Sequence, residues 1–476
     1  MRSRRDQVQA YFFVVGRLIS ALLSGRPDDP NPPTRRFTVN AIIGCLVAAL
    51  VVVVFGIAGV ISPGANNAWR SPGSIIVEKE TGAKYLYLAG SLRPVLNFAS
   101  ARLIVNSPQA NVVSVSSNSL RGVPRGLPLG IPNAPDSLPG PDALTRAPWF
   151  VCADTSYDKS NTPSPVTEVQ VREIAGVPLG PDSGLLVSTP DGSKYLVWRG
   201  SRFRIPQQAV IDALGYGAVR PLPVASSWVQ ALPSGPDLAA PDVPGLGQPA
   251  FSVKGATGRV GQVYEVHDPV LGDDRFYVLL QDGLAPLSRT GAGLLLADPD
   301  LAAAYPGSKP GAVEIDAAAV GSVPRSALAA VPPELPVDPP KITPVDRNDR
   351  DVPCARFAVG SGGEVPVEVV MVRRDDARFS GVIRSPQPAG ALAFLVSVPP
   401  TFGVLARDLP APGAPAGARY LITDLGIKYP LPGPDSLGAL GYAGVDPLPV
   451  PSELLALLPD GVALAPGTAT EVRPGD

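Results

Sequence analysis

Residues 213–235 read ALGYGAVRPLPVASSWVQALPSG, and residues 439–461 read ALGYAGVDPLPVPSELLALLPDG. At a constant offset of 226 they agree at 13 of 23 positions, among them Tyr216 with Tyr442 and Pro221 with Pro447. Agreement at this level means that the chain builds one supersecondary unit more than once. A weaker echo lies upstream, where Tyr85, Leu88, Leu92, Pro94 and Leu103 recur as Tyr277, Leu280, Leu284, Pro286 and Leu295 at an offset of 192. Four segments then share one grammar. KYLYLAGSLRPV, KYLVWRGSRFRI, RFYVLLQDGLAPLS and RYLITDLGIKYPL each run strand, glycine-containing turn, strand, with Gly90, Gly200, Gly283 and Gly426 in the turns. Hairpin loops need residues that accept positive φ, which is why glycine falls there. Short helical stretches follow, such as QQAVIDALG closing on Gly215 and PSELLALLP ended by Pro459.

The order along the chain is therefore A (74–107), B (184–235), A′ (258–298) and B′ (418–461), with one cysteine between the A and B units of each half. The fold class this predicts is α+β, four β-hairpin/helix repeats related by a pseudo-twofold. Long helices are few by composition, since 58 Pro and 49 Gly stand among 476 residues. Pro-rich connections such as LRGVPRGLPLGIPNAPDSLPGPDAL carry interspersed Leu, Val and Ile, so they are expected to pack along the scaffold. The end of the chain, 465–476, is expected to be disordered.

One segment stands apart. Residues 41–61, AIIGCLVAALVVVVFGIAGVI, carry no charge over 21 residues. At about 1.5 Å per residue they span roughly 30 Å, the hydrocarbon thickness of a bilayer. The run exceeds a signal-peptide core and its exit, SPGANNAW, lacks an A-x-A cleavage site, so the segment reads as an uncleaved transmembrane helix. Arg2, Arg4, Arg5, Arg17, Arg26, Arg35 and Arg36 precede it, which orients 1–40 to the cytoplasm and 62–464 outside. Within the inner segment Val8, Tyr11, Phe12, Val15, Leu18, Ile19 and Leu22 recur at helical spacing, and Gly25 is the stop. Such an amphipathic helix either lies on the membrane or docks onto a partner.

The chemistry available is sparse. With a single histidine, His267, and three cysteines, no multi-histidine metal centre can be built and no metal or cofactor site is expected. No G-x-x-x-x-G-K-[ST] loop occurs, and no G-x-G-x-x-G follows a strand. His267 reads as a strand-end surface residue. Asp28-Asp29, Asp273-Asp274 and Asp375-Asp376 read as solvated loops. The charge balance, 40 basic against 42 acidic residues, gives no footprint for nucleic acid. Cys45 lies inside the apolar span, leaving Cys152 and Cys354 as the exported thiols. In an oxidising compartment an even pair points to a bridge, with two free thiols the other reading. No catalytic residues are assigned.

The quoted motifs, together with RDQVQAYFFVVGRLISALLSG before the span, SIIVEKETGAKYLYLAGSLRPVLNFASARLIV after it, GIPNAPDSLPG and YLITDLGIKYPLPGPDSLGALGY, resemble EccB, the conserved membrane component of the actinobacterial type VII (ESX) secretion system. The resemblance runs from about Arg5 to Gly461 and includes both exported cysteines. It implies an elongated outer domain with four repeats around a central β-sheet core and a disulfide across it. It also implies partners: EccC-, EccD- and EccE-like membrane subunits, a mycosin protease, and self-association of the outer domain. The repeats are similar in fold to cell-wall-binding units of phage lysins, so peptidoglycan binding is the alternative function. Members are commonly labelled ATPases, a second alternative that no motif in this sequence supports. The function expected first is that of a structural subunit organising the secretion pore and its outer face.

Overall fold

The structure is a computed structural model that describes residues 4–25, 33–61, 67–107, 110–268, 273–328, 331–359, 365–377, 393–415 and 417–471. The chain divides into two compact units, 1–94 with 111–126, and 95–110 with 127–476.

The first unit opens with two helices, Arg4–Ser24 and Pro33–Ile61. Gly25, at φ +66°, returns its N–H to the carbonyl of Ala21 and ends the first, as a left-handed C-terminal residue does. The second starts eight residues ahead of the expected span. Pro33 suits the first helical turn, where its missing N–H costs nothing, and TRRF offers no breaker after it. Its membrane-length apolar stretch is Phe37–Ile57, and none of it is buried within the protein. Repeat A follows as a four-stranded sheet, Ser74–Glu78, Lys84–Leu88, Ser91–Val95 and Asn111–Val115, closed over Trp69, Ile76, Tyr85 and Leu92.

That sheet sets the pattern for all four repeats. Numbered within each repeat, the strand order is third, second, first, fourth. The first three run antiparallel and the fourth lies parallel to the first. In repeat B the fourth strand is Leu222–Pro223 beside Ser183–Ser188, in A′ it is Val313–Glu314 beside Val263–Asp268, and in B′ it is Leu448–Pro451 beside Val404–Leu409. A further parallel bridge recurs on the third strand of each: Leu92 to Arg125, Arg202 to Ser234, Leu284 to Arg325 and Lys428 to Asp460. The units therefore extend beyond the hairpin-and-helix stretches that mark them in sequence. A fourth strand of two to five residues is too short to show a period of its own.

The hairpin glycines behave as their type demands, at φ +79° (Gly90), +74° (Gly200), +144° (Gly283) and +72° (Gly426). Close approach explains two more. A Cβ at Gly235 would sit 2.3 Å from the Phe203 ring, and one at the matching Gly461 would sit 2.4 Å from Tyr429.

In the second unit the helices of the repeats pack in pairs. Phe98–Val105 lies against Pro434–Leu440 of B′, and Gln208–Ala213 of B lies against Arg289–Leu296 of A′. The centre is a six-stranded sheet whose inner four strands are Pro163–Val171, Trp149–Tyr157, Asp351–Phe357 and Val367–Arg373, in that order. All three of their pairings are antiparallel, and Trp149 and Asp351 open strands 202 residues apart. Alternate residues feed two separate cores. Trp149, Val151, Ala355 and Phe357 enter the large one, and Phe150, Cys152, Val352 and Cys354 the small one. A sheet covered on both faces reads as near-continuous apolar residues, which is how WFVCA sits here.

Two expectations change. Pro466–Ala469 forms a helical turn and Ala469 is fully buried beside Leu464, so the stretch expected to be disordered is ordered as far as Glu471; residues 472–476 lie outside the described residues. Asp273 and Asp274 are strand residues, paired with Asp268 and His267 across a hairpin, because the alternation of RFYVLL continues back through them. Asp375 and Asp376 occupy the short helix Arg374–Ala377, and Asp28-Asp29 fall outside the described residues.

Candidate functional site

Cys152 and Cys354 are directly opposite one another in the central sheet and are joined, with S–S 2.05 Å and both residues fully buried. The bridge joins strands 202 residues apart at the line where the two halves of the sheet meet. Cys45, on the membrane-length helix, is free. Among the described residues no group of three or more His, Cys, Asp and Glu is placed to hold a metal ion.

Around this centre the two halves carry matching clasps. The Tyr216 hydroxyl donates to the Pro340 carbonyl at 2.8 Å, and the Tyr442 hydroxyl donates to the Pro139 carbonyl at 2.8 Å. Each tyrosine thus fixes the Pro-rich connection that leads into a central strand. Burial pushes both phenols well above the usual range. The repeated ALGY motif was the available signal for these contacts, although the carbonyls they hold carry no side-chain signature.

A buried ion pair had no sequence signal at all. Arg374 pairs with Asp154, whose side chain is almost wholly enclosed, and also donates to the carbonyls of Arg347 (2.6 Å) and Asp349 (3.0 Å). A further ion pair joins Arg146 to Asp446, with a 2.7 Å hydrogen bond to the Asp446 carbonyl and 3.9 Å to its carboxylate. His267 accepts the role of a surface residue. Its Nδ1 lies 2.7 Å from Asp274 Oδ1, and that hydrogen bond holds its pKa above the usual histidine value, with nearby carboxylates adding to the effect.

The Arg4–Ser24 helix presents Val8, Tyr11, Phe12, Leu18 and Leu22 to the exterior, with Val15 and Ile19 half-buried. Phe13 and Val14, outside the expected stripe, are exposed as well, so the apolar face is broader than the spacing implied.

One membrane-length helix, four copies of a small sheet and a bridge through a shared central sheet define a membrane-anchored repeat scaffold. Residues 2–474 match the family described as type VII secretion system ESX-1, transport TM domain B, and the chain belongs to that family. It is 30% identical to the ESX-3 secretion system ATPase EccB3 of Mycolicibacterium smegmatis, over 98% of this chain and 90% of that one. It is 27% identical to the ESX-1 secretion system ATPase EccB1 of the same species, over 96% and 93%. Among solved structures it resembles a chain of an intact ESX-5 inner membrane complex, with TM-score 0.67, 24% identity and coverage of 100% and 96%. It also resembles the EccB3 dimer from an ESX-3 core complex, with TM-score 0.64, 28% identity and coverage of 83% and 99%.

Proposed function

We propose that this chain is a structural subunit of a type VII secretion membrane complex. It crosses the inner membrane once, with its N-terminus in the cytoplasm and residues from about 62 onward outside. The exposed apolar face of Arg4–Ser24 docks onto EccC-, EccD- or EccE-like membrane subunits. The outer repeats self-associate and face a mycosin-type protease.

The observation that carries this reading is an apolar helix, unpartnered over most of its face, placed directly ahead of a membrane-length helix in a member of this family. Leaving such a face in water is unfavourable by roughly 25 cal/mol per Å² of apolar surface, so it is expected to be covered. ATP hydrolysis, the activity in the relatives' names, is not part of the proposed role. The sequence contains neither a G-x-x-x-x-G-K-[ST] loop nor a G-x-G-x-x-G after a strand.

The test is deletion of 2–25 from the full chain in its own membrane. The expected result is loss of the co-purifying membrane subunits with an unchanged melt of the outer domain. Undiminished co-purification would refute docking through this helix.

A further inference from the structure

The Arg146–Asp446 contact has no counterpart in the other half, and its absence there leaves a site. At the 226 offset the residue matching Asp446 is Arg220. The connection that should face it also differs. Thr145 and Thr343 both donate to a glycine carbonyl at the edge of a repeat sheet, Gly403 and Gly184 respectively. From there the chain reaches the central strand through 146–148 in one half and through the longer 344–350 in the other. Arg347 lies in that longer connection and lines one groove with Arg220. A guanidinium thus stands where its counterpart half has a carboxylate.

The groove has a volume of about 610 Å³, and Pro221, Pro223, Pro344 and Ile342 supply its apolar lining. Both arginines are exposed, and among the described residues neither has an ion-pair partner. Two acids, Asp346 and Asp349, share the rim, and one oxygen of each is held within their own turn. Asp349 accepts from the Asp346 N–H at 2.7 Å, and Asp346 accepts from the Asn348 N–H at 3.0 Å. The turn itself is held in place, because Arg374, anchored on buried Asp154, donates to the carbonyls of Arg347 and Asp349. Two unengaged guanidiniums on a fixed, proline-lined groove are suited to a carboxylate on an extended chain, which needs few ordering steps to fit.

We propose that this groove binds an acidic extended segment of another protein chain, whose Asp or Glu takes between Arg220 and Arg347 the place that Asp446 takes beside Arg146. The contact that the connection 146–148 makes within the chain, the connection 344–350 makes with a partner. The subunit role bears only on who supplies the segment; the groove's chemistry stands apart from it.

The probe is a capped, labelled Pro-Asp-Pro-Asp-Pro peptide, titrated by fluorescence anisotropy into the full chain in nanodiscs. Binding is expected to weaken roughly tenfold or more for the Asn-substituted peptide and for Arg347→Gln, as for loss of a charge-assisted hydrogen bond. Arg220→Asp is the sharper variant. It rebuilds the internal ion pair of the other half, so it should abolish binding while melting at or above the parent temperature. Arg121→Asp, an equal charge change on an exposed residue in repeat A, should leave binding unchanged. No binding at millimolar peptide, equal binding by Arg220→Asp, or equal binding of the Asn peptide would each overturn the proposal. Because the Arg4–Ser24 helix takes no part, failure here and failure of the deletion test are separable.

Discussion

The two halves of the second unit share what holds the fold and differ where the surface is free to change. Tyr216 and Tyr442 clasp Pro340 and Pro139 with the same 2.8 Å hydrogen bond, and Gly235 and Gly461 sit over Phe203 and Tyr429. Arg146, ahead of one central strand, meets Asp446 of B′, whereas Arg220 stands at the matching position of B, beside an open groove. The repeated contacts are buried, and each tyrosine clasp reaches from a B-type repeat of one sequence half to the Pro-rich connection of the other. The unrepeated ones are exposed, where a charge reversal alters stability by little. Internal repetition therefore separates fold-bearing residues from surface ones without any comparison to another protein.

The severest way to break the comparison is to unlink the halves. Between Trp149–Tyr157 and Asp351–Phe357 only four residue pairs are in register, from Cys152 with Cys354 to Trp149 with Phe357. Releasing a closure of 202 residues removes roughly 5 kcal/mol in the chain-entropy treatment, before any native strain. At about 2.1 cal/mol/K per residue over some 400 residues, that lowers Tm by roughly 6 °C. Cys152→Ser in the detergent-solubilised full chain should show this shift by scanning fluorimetry, and reductant should reproduce it in the parent protein. Cys45→Ser should not. Alkylation of all three cysteines without reductant would show that the bridge is not formed.

What was legible in the sequence follows the same division. Periodicity and offset exposed the four hairpins, because turn glycines and alternating strands are local signals. The single apolar run marked the membrane-length helix, and the two cysteines outside it pointed to the bridge without excluding free thiols. The fourth strands were missed, since Leu222–Pro223 and Val313–Glu314 are two residues long and pair only through backbone. Asp154 and Arg374 lie 220 residues apart with nothing local to join them. The groove joins 218–223 to 342–349, segments far apart in the chain with no local signal to link them.

A smaller effect tests whether the clasps are equivalent. Tyr216→Phe and Tyr442→Phe each strip a buried proline carbonyl of its donor, a loss of about 1–3 kcal/mol. Equal losses in denaturant melts are expected if both carbonyls stay dry. A markedly smaller loss for Tyr216→Phe would mean that water reaches Pro340 through the adjoining groove, and the two halves would then differ beneath the surface too. The pH profile carries a sign as well. Burial raises both phenols in the folded state, so their contribution is intact below the unfolded value of about 10 and is lost as pH climbs through the raised folded values. Tyr→Phe variants should therefore show a shallower alkaline loss than the parent.

The smallest effect separates repeat A′ from repeat A. Four residues beyond the matching pairs Ile75–Leu86 and Val263–Val278, repeat A carries Lys79 and repeat A′ carries His267. Facing His267 is Asp274, whereas the 192 offset puts Gly82 at that place in A. The imidazole is exposed, so its effect on stability is screened by solvent, but its titration is directly observable. The hydrogen bond to Asp274 favours the protonated ring and outweighs the opposing desolvation, with further help from the charges of Asp274, Glu314 and Glu265. With the folded pKa raised, the contribution is complete below the unfolded value near 6.5 and disappears as pH rises through the folded one. Because His267 is the only histidine, a single imidazole resonance in an NMR titration reports it without assignment. Its midpoint should lie above 6.5 and fall back in Asp274→Asn. A midpoint that Asp274→Asn leaves unmoved would mean that the cross-strand contact is not made in solution, and the ends of the two hairpins would then be alike despite their different residues.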